Sequence, residues 1–129
     1  MNNRIPPLEH SIMKHSPVAY INEYALLFST MRNSSEPFPE WVKVYINIKT
    51  KCMALQKCIE TDTDGIHVST FIDTESRYIL NKVECASAII MARKIMDWER
   101  SESFRVQYVY YPESQLYVLD LKEARLITM

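Results

Sequence analysis

The chain has 129 residues, a formal net charge of −1, and 47% apolar and 24% charged residues. This is the size and make-up of one ordinary domain able to bury its own core, and it excludes a strongly basic, phosphate-seeking chain and a strongly acidic tail. The single glycine, Gly65, excludes phosphate loops, dinucleotide turns and G-x-S-x-G elbows, all of which need several residues with glycine's backbone freedom.

Residues 1–15 contain Pro6-Pro7, which blocks a helix, and are expected to be a weakly ordered segment preceding one globular domain over 16–129. They carry no apolar stretch of signal type, and no run approaches 18 apolar residues. With three cysteines, Cys52, Cys58 and Cys85, there is no closed disulfide framework. The expectation is a cytoplasmic protein without a membrane span.

Ser16-Pro17 reads as a helix start, and Val18, Ile21, Ala25 and Phe28 follow at helical spacing as far as Asn33. Residues 33–39, with Pro37 and Pro39, form a linker. Trp41, Tyr45, Ile48, Cys52, Leu55 and Ile59 keep a 4-3-4-3-4 spacing, which outweighs the short alternation of Val42, Val44, Ile46 and Ile48 and predicts a helix over 40–60. Asp62-Thr63-Asp64-Gly65 is a turn in which Gly65 is expected to supply the unusual backbone angle. Ile66 to Ile72 reads as a strand, and Arg77 to Leu80 as a short second one. Asn81 and Glu84 have capping-box spacing and predict a helix over 82–98. Two strands, 104–111 and 116–121, are joined by the turn Pro112-Glu113-Ser114-Gln115. The expected fold class is therefore α+β: two N-terminal helices, then hairpin–helix–hairpin forming a small antiparallel sheet with helices packed on one face.

No catalytic constellation emerges. Cys52 and Cys58 are spaced too widely for a paired zinc unit, so no metal and no cofactor are expected. Cys85 lacks a base at a known distance, and Asp62, Asp64 and Asp73 are ordinary turn residues. The stretch Phe71-Ile72-Asp73-Thr74-Glu75-Ser76-Arg77-Tyr78-Ile79 resembles the I-D-x-x-S-R-Y-I strand–turn–strand of integrase and transposase catalytic cores, where the resemblance would make Asp73 a metal ligand. It covers nine residues, no preceding strand supplies a matching acid, and the chain is too short for that fold. No role is carried over.

Two surfaces remain. Between Trp41 and Ile59 there is no acid, while Lys43, Lys49, Lys51 and Lys57 are present, and on the expected helix Lys43, Lys51 and Lys57 share one arc as candidate contacts for phosphates or an acidic partner. On the last hairpin Tyr108, Tyr110, Tyr111 and Tyr117 form a candidate interaction surface. These features point first to a non-enzymatic interaction module (adaptor, inhibitor or accessory factor) that binds a protein partner and forms a homodimer. A nucleic-acid-binding regulator using the lysine face and the last hairpin is the alternative. A small enzyme with a site around Asp73, His67 or Cys85 comes third.

Overall fold

Asn22 decides how the fold begins. In the computed structural model, which describes residues 17–32, 37–72, 75 and 77–127, its side-chain carbonyl accepts the backbone N–H groups of Tyr24 (3.0 Å) and Ala25 (2.7 Å). Its own N–H donates to the Ala25 carbonyl at 3.1 Å. This Asx turn reverses the chain. The apolar stripe expected as one helix is instead two antiparallel strands, β1 (Val18–Ile21) and β2 (Ala25–Met31), with Ala19 opposite Phe28.

The same device recurs at Asn47. Its side chain accepts the Thr50 N–H at 3.1 Å, and its carbonyl accepts the Lys51 N–H at 2.8 Å, with Lys51 at φ 57. The helix expected over 40–60 is therefore a hairpin of β3 (Trp41–Asn47) and β4 (Cys52–Lys57), with Val44 opposite Leu55. The short alternation of Val42, Val44 and Ile46 was the real signal, because β-branched side chains on one phase suit a half-buried strand.

The chain continues through β5 (Ile66–His67), β6 (Ser69–Ile72), β7 (Tyr78–Glu84), α1 (Ala86–Met96), β8 (Phe104–Tyr111), β9 (Leu116–Asp120), a 3₁₀ turn (Leu121–Glu123) and β10 (Arg125–Leu126). The turn before β5 differs from expectation. Asp64, not Gly65, takes the left-handed angle (φ 69). Gly65 supplies space: a Cβ there would lie 3.2 Å from Cys58 Sγ. The helix expected over 82–98 starts four residues later, because β7 holds its pairing with β2 up to Glu84 opposite Ala25.

The strands form one antiparallel sheet in the order β5-β3-β4-β9-β8-β1-β2-β7-β6, with β10 beside β8. The two ends of that path, β5 and β6, are consecutive pieces of chain parted by Val68, whose N–H donates to the Glu40 carbonyl at 2.8 Å. The sheet thus curls round until its ends meet in one segment, a nearly closed barrel with one short helix among the described residues. The expected α+β fold, with helices on one face of a small sheet, is overturned. The cause is the misreading of two hairpins as helices.

Alternation fills the barrel. Phe104, Val106 and Tyr108 on β8 and Tyr117 and Leu119 on β9 face inward, as do Leu26 and Phe28 on β2 and Met53 and Leu55 on β4. Phe28 meets Phe38 at 4.8 Å and Tyr108 at 5.0 Å between ring centroids, and Phe38 meets Tyr117 at 4.8 Å. Buried Asn81 on β7 is satisfied: its Nδ2 donates to the Phe28 carbonyl at 3.1 Å and to Thr30 Oγ1 at 3.0 Å. The helix α1 covers one end of the barrel with Ile89 and Ala92, both fully buried.

Candidate interaction surface

On β3, β4, β9 and β8 the outward residues fall into rows across the ladder. Tyr45 lies opposite Ala54, Ala54 opposite Val118, and Val118 opposite Val109. The next row runs Lys43, Gln56, Leu116, Tyr111. Tyr45, Val109 and Tyr111 are 48%, 54% and 49% exposed, and Ala54, Leu116 and Val118 are half-buried between them. At about 4.8 Å per strand the first row makes a continuous apolar band roughly 14 Å wide. An apolar row on a solvent-facing sheet surface is informative because such faces normally alternate to polar residues.

The lysines expected on one helical arc are separated by the hairpin. Lys43 stands outward on β3, in the row beside the apolar band. Lys57 is exposed at the far end of β4, in register with Val42. Lys51 lies in the turn at the other end, about 17 Å from Lys43 along the strands. Lys49 is in that turn too. Ion pairs among the described residues include His67–Glu40, Lys82–Glu84, Arg100–Glu23 and Lys122–Asp120. The four hairpin lysines take part in none of these; Lys43 lies on one side of the band's β3–β4 end, and Lys49 and Lys51 lie on the other.

The four tyrosines also part company, since successive residues on a strand point to opposite faces. Tyr108 and Tyr117 are buried inside the barrel, and burial pushes the Tyr108 phenol up to about 12. Tyr110 is half-buried on the same inner phase, its ring 4.4 Å from that of Tyr117. Tyr111 alone of the set belongs to the outer band. The sequence reading missed Tyr45 and Val109, whose outward place follows once β3 is a strand and the phase of β8 is counted.

An open cleft of about 550 Å³ lies at the helix-capped end, lined by Glu23, Tyr24, Lys82, Glu84, Ser101 and Ser103 among others. Its charges cancel in pairs. Arg100 Nε donates to Glu23 at 2.9 Å, and Lys82 Nζ lies 3.5 Å from Glu84. Hydrogen bonds from Tyr24 and Arg100 hold the Glu23 carboxyl below the usual range.

Cys85 and Cys58 are poor nucleophiles. Burial pushes the Cys85 thiol up to about 12, and its Sγ rests 3.6 Å from the Val83 carbonyl. Cys58 is also raised, first by burial and then by nearby Asp62. Among the described residues no group of three His, Cys, Asp or Glu side chains could hold a metal ion. His67 is exposed and packs its ring 4.9 Å from Trp41. Asp73, with Thr74 and Ser76 of the segment that resembles an integrase turn, lies outside the described residues, as does the N-terminal segment expected over 1–15. No helix among the described residues is long and apolar enough to cross a membrane.

By fold and surface the molecule is a filled, helix-capped antiparallel barrel with an apolar band on its outer wall. A scan against protein-family models and searches of curated proteins and of solved structures find no match.

Proposed function

We propose that the protein is a non-enzymatic interaction module whose contact surface is the outer wall of β3, β4, β9 and β8. The supporting observation is the band Tyr45–Ala54–Val118–Val109, widened by Leu116 and Tyr111, with Lys43 on one side of its β3–β4 end and Lys49 and Lys51 on the other. That charge selects the partner: a protein segment with an apolar centre and acidic flanks. Burying the band would supply affinity, while the lysines would set orientation and speed the encounter.

A protein partner is favoured over nucleic acid. The centre of the band is aliphatic, offering few flat rings on which bases could stack, and the whole chain carries a net charge of −1. The test uses fluorescence-labelled peptides with a Leu/Ile/Phe centre flanked either by Asp and Glu or by Lys. The acid-flanked peptide is expected to bind at least tenfold more tightly at low salt, and Val109→Glu or Lys43→Glu should remove that binding. Equal binding of both peptides, or indifference to both substitutions, would sink the reading. Tight binding of single-stranded RNA or DNA that is lost on the same substitutions would establish the nucleic-acid alternative in its place.

A further inference from the structure

Among the described residues, β6, the last strand of the sheet path, has an open edge. Val68 donates to Glu40, so its backbone groups face β3. Alternation then turns the groups of Ser69 and Phe71 toward β7, where they sit opposite Lys82 and Leu80, and the groups of Thr70 and Ile72 away from it. Among the described residues no hydrogen bond outside the β6–β7 ladder reaches the backbone of Thr70 or Ile72. The chain before Glu40 is Pro37-Phe38-Pro39; two of these residues have no N–H, and the Phe38 ring turns into the core against Phe28.

Proteins usually blunt an open edge with a lysine, a proline or a bulge. Ser69-Thr70-Phe71-Ile72 carries none, and all four side chains are exposed. Beside it lies a second apolar patch: Phe71 opposite Leu80, and Tyr78 opposite Met31, all exposed.

We propose that β6 pairs antiparallel with β6 of a second copy, about a twofold axis at Phe71. The open groups lie two residues apart, which makes them self-matching in an antiparallel pair. Thr70 faces Ile72 of the partner subunit and the reverse, giving four backbone hydrogen bonds. Phe71 meets Phe71 of the partner subunit in the closer, non-hydrogen-bonded position. A second copy is favoured over a foreign strand on charge as well. The strand is uncharged, so two copies do not repel, and the twofold brings both apolar patches to one continuous surface. The contact is isologous and small, well under the roughly 1,600 Å² of a standard interface, so the dimer is weak and concentration-dependent. It uses a different wall from the docking band and stands or falls independently of it.

Sedimentation velocity from micromolar to several hundred micromolar protein tests this. The wild type is expected to move from monomer to dimer. Ile72→Pro removes an outward N–H while sparing the β6–β7 ladder, and Phe71→Lys places like charges across the axis. Both should remain monomeric, and the second keeps the test valid if the proline disturbs folding. In a Cys52→Ser, Cys58→Ser background, Phe71→Cys should form an interchain disulfide on mild oxidation, since Cα atoms about 4.5 Å apart fit that bond, and Ser69→Cys should not. A strict monomer throughout the range would overturn the proposal. So would a dimer that survives both substitutions, or one lost on Val109→Glu alone.

Discussion

With one glycine in the chain, four non-glycine residues among those described occupy the left-handed region: Lys51 (φ 57), Asp64 (φ 69), Asp97 (φ 58) and Gln115 (φ 54). A Cβ in that region meets its own carbonyl and costs about 1–2 kcal/mol, which glycine avoids at a smaller entropic cost. Gln115→Gly is therefore expected to stabilise the protein by about 0.5–1 kcal/mol, read as a higher urea midpoint at constant slope. Gly65 has the opposite character. Its angle suits any residue, but a methyl group there would press on Cys58 Sγ at 3.2 Å and on the Asp62 carbonyl at 3.3 Å. That carbonyl is held in place, because Gly65 N–H donates to it and the Asp62 side chain accepts from Ile59 N–H at 2.9 Å. Gly65→Ala should cost about 1 kcal/mol, and Cys58→Ala should reduce that cost without abolishing it in a double-mutant cycle. Equal costs in the two backgrounds would show that the thiol is not the obstacle.

At the scale of elements, the β8–β9 hairpin was legible because Phe104, Val106 and Tyr108 alternate with Arg105, Gln107 and Val109 up to an unmistakable turn. The apolar run of α1 was legible too. The first two hairpins were not. The residues that mimicked a helix come from unlike places: Trp41 and Tyr45 point outward on β3, Ile48 sits in the turn, and Leu55 points inward on β4. A long window averaged over the reversal, whereas Asn22 and Asn47, poor helix formers and good turn formers, marked it. The candidate surface was half legible for the same reason: Tyr111 and Lys43 are on it, but the rows joining them exist only in the folded ladder. One buried side chain ties these elements together without having announced itself. Arg93 on α1 donates from Nη1 to the Glu99 carbonyl at 2.7 Å, and from Nη2 to those of Asn22 at 3.0 Å and Glu102 at 2.8 Å. It thereby locks the β1–β2 turn and the α1–β8 loop to the helix. Arg93→Met should cost about 3 kcal/mol or more in chemical denaturation, because three carbonyls lose a charged donor. Arg93→Lys should recover little of it, since an ammonium cannot reproduce the planar fork.

For the whole molecule, the barrel brings β1 (residues 18–21) beside β8 (residues 104–107) and makes the interior one continuous apolar body. Two titratable groups sealed near that body, Cys85 at 7% and Tyr108 at 6% exposure, both have pKa values raised to about 12 by burial. In the folded state each keeps its proton well above the pH at which the unfolded chain releases it. The unfolded state therefore binds fewer protons, and stability falls as pH rises. The loss begins near the unfolded thiol value, about pH 9, at about 1.4 kcal/mol per pH unit, and steepens above about pH 10 when the unfolded phenol also ionises. Both contributions are intact at neutral pH. Urea unfolding followed from pH 7 to pH 11 should show this two-limbed decline. Cys85→Ala should remove most of the first limb, with Cys58 holding the remainder, and Tyr108→Phe the second, each after allowance for its constant cost at pH 7. A wild-type curve that stays flat to pH 11 would mean that water reaches these groups and that the barrel is not the sealed body on which recognition by its outer wall depends.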